Sequence, residues 1–338
     1  MIREAIEALV SGRSLAFEQA AGVMEEIMSG EATPAQIAAF ITALRIEGET
    51  VDEIAGLASV MRSKAIPVAA TPPLVDTCGT GGDGSASFNI STAAAFVAAG
   101  AGLKVAKHGN RAMSSRCGSA DVLEALGVRI DLGAEAVAEC LERVGIGFMF
   151  APNFHPAMKH ATVPRREIGI RTVFNILGPL TNPARAESQV IGVPSEELGN
   201  KIALVLCRLS TKHSMVVHGM DGMDEISIGG ESLVWEVNED RALPYYKISP
   251  HDFGYKEASL AELEGGTSEM NAGILRRILS GEKGPKRDVA VMNAAAVLVT
   301  GNRASDIKEG APLAEEAIDS GRALEKLDRL VSLSQSLS

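Results

Sequence analysis

Apolar positions in the first 65 residues recur at helical spacing. Two capping boxes, "TPAQ" from Thr33 and "TVDE" from Thr50, each place Gln or Glu three residues after a threonine. Pro34 occupies the first helical position after the first box, and Gly48 ends the apolar pattern that follows it. The segment therefore predicts helices only, and the proline-bracketed stretch "IPVAATPP" after it predicts a domain boundary.

Beyond residue 73, short apolar runs alternate with helical patterns. The predicted strands are "LVDTC", "LKVAKHG", "IGFMFAP", "SQVIGV" and "SMVVHG", and the predicted helices are "STAAAFVAAGAG", "DVLEALG" and "EELGNKIALVLCRLS". This alternation with short connections predicts a largely parallel sheet flanked by helices. The segment "VPRREIGIRTVFNILGPLTNP" interrupts the rhythm as a helix followed by a proline-rich turn, in which "GPLTNP" is a candidate hinge.

We therefore expect an α/β protein with a small all-helical N-terminal domain and a larger α/β domain with a central, largely parallel sheet. The helical domain would comprise residues 1–70, joined by about 165–185. The α/β domain would comprise residues 71–164 and 186–338.

Composition and charge narrow the class of protein. Aromatic residues make up only 4% of the chain against 46% apolar residues, so the core must be built from small and aliphatic side chains. The net charge of -11 opposes a nucleic-acid surface, which is basic. The start lacks the apolar core of a signal peptide, and the longest nearly apolar run, from Val289, is too short to span a bilayer. Four scattered cysteines fit reduced thiols, so we expect a cytoplasmic protein with no membrane partner.

The stretch "VDTCGTGGDGSASFNIST" contains a literal match to the dinucleotide fingerprint G-x-G-x-x-G. The helix, however, is expected to start later, at Ser91 and Thr92, and the next strand closes with Lys107 and His108 instead of an acidic residue. A P-loop is also excluded because no Lys-Ser/Thr pair follows the glycines. A plain glycine-rich surface turn stays possible on this stretch alone.

The neighbouring segments favour an anion site over a surface turn. The start of the small-residue helix offers backbone amides and hydroxyl groups to a phosphate. The segment "KHGNRAMSSRCGSAD" then collects several basic and hydroxyl side chains directly after the second strand. Each charge alone is more commonly a solvated surface group. Because the carboxyl ends of parallel strands face one crevice, we expect both segments to contact the same anion.

A third polar segment, "HGMDGMDEIS", also follows a strand. Asp221, Asp224 and Glu225 offer hard oxygen ligands of the kind that Mg²⁺ shares with substrate phosphates. A polar turn capped by aspartates is the alternative for this segment alone. Beside two anion-binding loops we favour a metal, and Asp83 would then serve sugar hydroxyls or a metal-bound water. The predicted ligand is a phosphorylated, hydroxylated sugar held through Mg²⁺.

Five segments together resemble the anthranilate phosphoribosyltransferases: "DTCGTGGDG", "FNIST", "KHGNRAMSSRCGSAD", "VPRREIGIRTVFNILGPL" and "VHGMDGMDE". The resemblance covers nearly the whole chain. It implies transfer of phosphoribose from phosphoribosyl pyrophosphate to the amine of anthranilate in tryptophan biosynthesis. It also implies Mg²⁺, about two ions per monomer, and a homodimer packed through the helical domains.

The resemblance assigns site residues position by position. Those expected to line phosphoribosyl pyrophosphate are Gly79, Gly82, Asp83, Ser87, Asn89, Ile90, Ser91, Thr92, Lys107, His108, Gly109, Asn110, Arg111, Ala112, Met113, Ser114, Ser115 and Ser119. Those expected to contact anthranilate are Gly79, Asn110 and Arg165, and those expected to hold metal are Ser91, Asp224 and Glu225. The one departure is Ser87, where threonine is more usual, and it keeps the hydroxyl group.

The expected chemistry is displacement at an anomeric carbon through an oxocarbenium-like state, without a covalent intermediate. Lys107 and Asp83 would support the transition state, and Arg165 would hold the anthranilate carboxylate through two hydrogen bonds. His108 is either a proton acceptor or a structural support of its loop.

Two rival functions differ in features that can be read from the chain. Pyrimidine nucleoside phosphorylases share the expected fold but have a different version of the "KHGNR" segment and lack the paired "DE". A noncatalytic nucleic-acid-binding relative would be basic and would lack Arg165 or the metal carboxylates. This chain is acidic and has them all.

Overall fold

The structure, a computed structural model, describes residues 1–112, 116–239 and 241–337. Its N-terminal part consists of four helices: α1 (Ile2–Val10), α2 (Phe17–Ser29), α3 (Pro34–Glu47) and α4 (Val51–Lys64). Both predicted capping boxes form. The Thr33 hydroxyl accepts a hydrogen bond from the Gln36 amide at 3.3 Å, and Gln36 Oε1 accepts one from the Thr33 amide at 2.8 Å. These reciprocal bonds satisfy amides that a helix start leaves free, which explains why α3 begins at this point.

One mixed sheet forms the centre of the rest of the molecule. Its strands run in the order β3-β2-β1-β4-β5-β6-β7, with β8 paired to β6. Their bounds are β1 (Val75–Gly79), β2 (Val105–Gly109), β3 (Ile146–Phe150), β4 (Ser188–Gly192), β5 (His213–Gly219), β6 (Ser232–Asn238), β7 (Arg241–Ala242) and β8 (Tyr246–Ile248). The five strands from β3 to β5 are parallel, and the remaining pairings are antiparallel. The sheet is thus largely parallel, as predicted, with an antiparallel edge that the sequence pattern did not predict.

Helices cover both faces of this sheet. Their bounds are α5 (Ile90–Gly100), α6 (Ser119–Ala125), α7 (Ala134–Arg143), α8 (Ala151–Phe154), α9 (Lys159–Ile168), α10 (Phe174–Leu177), α11 (Glu196–Arg208), α12 (Ser268–Leu279), α13 (Pro285–Thr300), α14 (Ile307–Asp319) and α15 (Arg322–Ser336). In the described part of the chain, no helix combines the length and the hydropathy needed to cross a bilayer.

Small side chains let the central helices pack closely. Nearly every residue of α5 and α13 is buried, and both helices are rich in alanine. Gly100 at the end of α5 lies so close to α15 that an added Cβ would be 2.8 Å from Ala323 Cα. The low aromatic content therefore corresponds to helices packed at short distances around the sheet.

Helices α9 and α10, with the residues between them, belong to the same core cluster as the N-terminal helices. Ala161, Val173 and Phe174 are buried in one cluster with Ile41 and Leu57. Helix α9 packs mainly against α3, and α10 contacts α4. This packing carries the polar side chains of the segment to the edge of the α/β part, where they face the loops that follow β1 and β2.

Candidate active site

A cleft of about 970 Å³ lies between the ends of the parallel strands and the helical layer. Every described residue that the resemblance assigned to the site lines this single cleft. They are Gly79, Gly82, Asp83, Ser87, Asn89, Ile90, Ser91, Thr92, Lys107, His108, Gly109, Asn110, Arg111, Ala112, Ser119, Arg165, Asp224 and Glu225. The predicted residues Met113, Ser114 and Ser115 lie outside the described residues.

The loop after β1, residues 79–84, is fixed against the turn that carries Asp224. The Gly81 amide donates a hydrogen bond to Asp224 Oδ2 at 2.7 Å. A Cβ added to Gly79 would be 2.1 Å from the same oxygen, and one added to Gly192 on β4 would be 1.6 Å from the Asp224 carbonyl oxygen. Only glycine permits this approach, so residues 79–84, the glycine loop, lie directly against the turn that carries Asp224.

Helix α5 begins at Ile90, one residue before the predicted start, and its first turn faces the carboxylates. The Ser91 amide donates to Glu225 Oε1 at 3.0 Å. Asn89, at the N-cap position, does not cap the helix with its side chain. Its side chain instead donates to the Cys117 carbonyl oxygen and accepts from Asn271 Nδ2 at 2.9 Å. Asn271, on α12, lines the cleft and holds a residue that we predicted to contact the sugar donor.

The carboxylates in the cleft repel one another. Burial, followed by the charge of Asp83, raises the pKa of Asp224 to about 7. Burial and then Asp224 raise the pKa of Glu225 well above its usual range, while Lys107 opposes this rise. Anionic groups this close are stabilised by a cation. Across the described residues no cluster of three His, Cys, Asp or Glu side chains is preformed. The donor set fits Mg²⁺, which commonly takes one or two carboxylates and fills its other positions with water and phosphate.

Asp221 is separate from this pair, although it belongs to the same sequence segment. Its Oδ2 accepts a short hydrogen bond from the Ser227 hydroxyl, and its Oδ1 accepts one from the Met223 amide at 3.3 Å. These bonds shape the turn after β5. The metal hypothesis therefore depends on Asp224 and Glu225, with Asp221 as the turn-capping aspartate that was the alternative interpretation of this segment.

Lys107 and His108 close β2 inside the cleft. Lys107 is 2% exposed, and its Nζ donates to the Thr77 carbonyl oxygen at 2.6 Å. His108 Nδ1 lies 3.2 Å from the Gly178 carbonyl oxygen, which can only accept, so Nδ1 carries the proton and Nε2 is an acceptor. Burial, followed by the neighbouring His155, lowers the pKa of His108 to about 3. The ring is therefore neutral near pH 7.

His155, which the sequence did not single out, pairs with His108 across the cleft. The two ring centroids are 5.2 Å apart, and burial lowers the pKa of His155 to about 4. His108 Nε2 has no hydrogen-bond partner within the described part of the chain. Two neutral imidazoles thus provide polar but uncharged groups in the middle of the cleft.

Arg111 is a predicted phosphate ligand, but its guanidinium is paired with two carboxylates outside the cleft centre. Its guanidinium forms ion pairs with Asp121 at 3.0 Å and Glu124 at 2.8 Å, both on α6. The neighbouring Asn110 accepts the Arg111 amide on its own Oδ1 at 2.8 Å. Arg111 thus borders the cleft while its guanidinium contacts α6.

Arg165 lies at the opposite end of the cleft with its charge unpaired. Its guanidinium carbon is 5.0 Å from the centroid of the Phe174 ring. Among residues 1–112, 116–239 and 241–337, it has no carboxylate partner and no hydrogen-bond acceptor. Burial lowers its pKa from the usual value. A half-buried guanidinium stacked on an aromatic ring is a site for a planar anion, such as an aromatic carboxylate.

Two family models match the chain in succession. The model described as "Glycosyl transferase family, helical bundle domain" matches residues 3–65, and the model described as "Glycosyl transferase family, a/b domain" matches residues 71–324. The fold and the cleft are thus those of a glycosyl transferase with a helical bundle domain followed by an α/β domain.

Individual relatives identify the family within this class. Anthranilate phosphoribosyltransferase of Dehalococcoides mccartyi is 60% identical over 339 residues, which cover 100% of this chain and 99% of the relative. The Chloroflexus aggregans enzyme of the same name is 61% identical over 99% of this chain and 98% of its own length. The chain belongs to the anthranilate phosphoribosyltransferase family, which confirms the resemblance found in the sequence.

Solved structures agree with this assignment. Anthranilate phosphoribosyltransferase from Thermus thermophilus matches with a TM-score of 0.92 and 45% identity, covering 98% of this chain and 99% of that one. The Saccharomyces cerevisiae enzyme, in complex with PRPP and Mg, matches with a TM-score of 0.92 and 30% identity over 99% and 98% of the two chains. A further structure of the yeast enzyme holds 4-fluoroanthranilate.

Proposed function

We propose that this chain transfers the phosphoribosyl group from 5-phosphoribosyl 1-pyrophosphate to the amine of anthranilate. The products are N-(5-phosphoribosyl)anthranilate and pyrophosphate, in tryptophan biosynthesis. The observation that carries this proposal is a single cleft with clustered carboxylates at one end and the unpaired Arg165 at the other. The yeast relative's complexes with PRPP and Mg, and with 4-fluoroanthranilate, support it.

The glycine loop and the start of α5 would bind the sugar donor. Backbone amides at a helix start carry partial positive charge and favour phosphate oxygens. Asp83 would accept hydrogen bonds from ribose hydroxyls. The other residues assigned to this ligand are Gly79, Gly82, Ser87, Asn89, Ile90, Ser91, Thr92, Lys107, His108, Gly109, Asn110, Arg111, Ala112 and Ser119, with Met113, Ser114 and Ser115 as further candidates.

Ser91, Asp224 and Glu225 would hold Mg²⁺, about two ions in each monomer. When bound, Mg²⁺ supplies Lewis-acid stabilisation of the charge that develops on pyrophosphate. The raised pKa values of the two carboxylates support this assignment because a cation would relieve their repulsion. Lys107 Nζ, held by the Thr77 carbonyl oxygen, would add fixed positive potential to the same region.

Arg165 would hold the carboxylate of anthranilate, with Asn110 and Gly79 beside the ring. An arylamine is neutral near pH 7, so the protein has to position it more than activate it. The His108 Nε2 acceptor could take up the amine proton after attack. Its low pKa equally supports the alternative role, in which His108 holds the Gly178 carbonyl oxygen and thus the shape of the loop.

We further infer a helical domain of residues 1–70 and about 165–185, around a hinge at residues 178–183. Burial of Val173 and Phe174 with the N-terminal helices supports this division. A homodimer through the helical domain is consistent with the exposed side chains of Val10 and Ile46. A cytoplasmic location agrees with Cys78, Cys117 and Cys140, which are free thiols in the described part of the chain.

The decisive assay mixes the protein with phosphoribosyl pyrophosphate, Mg²⁺ and anthranilate and follows anthranilate fluorescence. The expected result is loss of fluorescence that depends on all three additions. No loss, accompanied by phosphorolysis of thymidine or uridine, would replace the proposal with nucleoside phosphorylase activity.

A further inference from the structure

Arg171 joins the segment between α9 and α10 to the glycine loop across the cleft. Its Nη2 donates to the carbonyl oxygen of Gly81 at 2.8 Å and to that of Thr80 at 3.0 Å. The residue lies in the stretch that packs with the N-terminal helices, and the loop follows β1 of the sheet. This guanidinium therefore connects the two parts of the protein at the place where the sugar donor is expected.

The guanidinium also lies directly against Gly82. A Cβ at this position would be 2.4 Å from Arg171 Cζ, and Gly82 has a φ of +86°. On the other side, the Gly81 amide is bonded to Asp224 Oδ2. The glycine loop is thus held from two sides, through carbonyl oxygens by Arg171 and through an amide by Asp224.

Because the peptide bond is planar, the two carbonyl hydrogen bonds to Arg171 also fix the directions in which the neighbouring amides point. In a trans peptide unit the C=O and N–H groups point in opposite directions. With the Thr80 carbonyl directed to Arg171, the Gly81 amide points away from it, toward Asp224, as observed. By the same geometry, the Gly81 carbonyl bond to Arg171 directs the Gly82 amide away from the guanidinium. In the described part of the chain, the Gly82 amide has no acceptor, and Gly82 lines the cleft.

We propose that Arg171 is a positioning residue that sets these two peptide units and so presents the Gly82 amide to the diphosphate of the sugar donor. The inference rests on the proposed function, because it needs a ligand with a diphosphate at this end of the cleft. Arg171 acts through the loop. The expected anthranilate contacts, Arg165 and Gly79, do not depend on it, because Gly79 is the last residue of β1 and lies outside the two peptide units that Arg171 holds.

The first test compares the two Michaelis constants in Arg171→Ala. Losing charge-assisted hydrogen bonds should raise KM for phosphoribosyl pyrophosphate by roughly tenfold or more. KM for anthranilate and the melting temperature should stay close to those of the parent chain. Arg171→Lys keeps the charge on a single donor nitrogen but loses the planar guanidinium, so it should recover part of the loss. Equal rises in both KM values, or a lysine variant no better than alanine, would overturn the proposal.

A double-mutant cycle tests the contact itself. Gly82→Ala introduces a Cβ against the guanidinium, whereas Gly84→Ala introduces one at a similar φ, +69°, with no atom within 4 Å. Both substitutions carry a backbone penalty, but only the first also displaces Arg171. We expect Arg171→Ala to reduce the loss of kcat/KM caused by Gly82→Ala and to leave that caused by Gly84→Ala unchanged. Additive effects for both glycines would contradict the proposal.

The parent chain, assayed in parallel, separates this inference from the proposed function. An inactive parent chain would overturn the proposed function and this inference with it. An active parent chain, together with an Arg171→Ala variant whose KM for phosphoribosyl pyrophosphate is unchanged, would overturn the inference alone.

Discussion

The two ends of the cleft differ in charge and in construction. At the sheet end, Asp224 accepts from an amide of the glycine loop, Glu225 accepts from one in the first turn of α5, and Asp83 lies beside Asp224. At the helical end, Arg165 stacks on Phe174, and the neutral pair of histidines lies between the two ends. One end is thus a group of carboxyl groups bonded to backbone amides, and the other is a single cation on an aromatic ring.

Neither end is electrostatically balanced. Half-buried carboxylates that repel one another, and a half-buried guanidinium with no carboxylate partner among the described residues, both cost free energy. A donor that brings phosphates and Mg²⁺, and an acceptor that brings a carboxylate, would restore the balance at both ends. The proposed ligands would thus complete the electrostatics of the cleft, and each end could be disabled separately.

The largest expected effect lies at the sheet end. Asp224→Asn removes a metal carboxylate and keeps its shape, so kcat/KM should fall by about 10²-fold or more. The Mg²⁺ concentration needed for half-maximal activity should rise. Initial rates over a Mg²⁺ titration measure both quantities.

Asp221→Asn is the matched control for this variant. Asp221 belongs to the same turn but bonds to Ser227 and Met223 instead of facing the cleft. Its replacement should lower thermal stability slightly and leave the Mg²⁺ profile unchanged. If Asp221→Asn shifted that profile while Asp224→Asn did not, the metal would have to be placed elsewhere in the turn.

The next effect belongs to the helical end. Arg165→Ala should raise KM for anthranilate by roughly ten- to a hundredfold, since charge-assisted bonds to a carboxylate are lost. KM for phosphoribosyl pyrophosphate should change far less. Arg166→Ala, at the exposed next position of α9, is the control and should change neither constant. Equal rises in both constants for Arg165→Ala would mean that the two ends are not separate.

That the sheet-end residues converge on one cleft could be predicted from the sequence for a physical reason. They stand in short segments that directly follow predicted strands, and the ends of parallel strands meet at one edge. Their roles as ligands stay predictions. The approach of Asp224 to Gly79 and Gly192 explains why glycine is required there. The capping boxes at Thr33 and Thr50 are likewise local, and both form.

The parts that the sequence did not predict depend on contacts between distant segments. His155, Arg171 and Asn271 come from separate segments and reach the cleft only through tertiary packing. No spacing in the chain marks them. Arg111 shows the converse, because its basic character predicted a phosphate ligand, while Asp121 and Glu124 engage its guanidinium. The strands of the antiparallel edge, β6 to β8, were not predicted because the βα alternation, on which the strand predictions rest, ends after β5.

The smallest expected effect concerns the neutral histidines between the two ends. Burial places the pKa of His108 at about 3 and that of His155 at about 4, below the usual value of 6.5. As the pH falls below 6.5, the unfolded chain takes up protons at both residues while the folded chain does not. Stability is therefore lost on acidification, by up to about 1.4 kcal/mol per pH unit for each histidine.

Replacing one histidine isolates its contribution to the pH dependence of stability. The opposing titration of Asp224 and Glu225 is the same in the parent chain and in the variant, so it cancels in the comparison. In His155→Gln, the free energy of unfolding should fall less between pH 6.5 and 5.5, by about 1 kcal/mol. Urea unfolding at several pH values measures the difference, with His251→Gln at an exposed position as the control. An unchanged slope in His155→Gln would mean that His155 takes up protons in the folded protein. The middle of the cleft would then carry positive charge, and the two ends would no longer be separated by a neutral region.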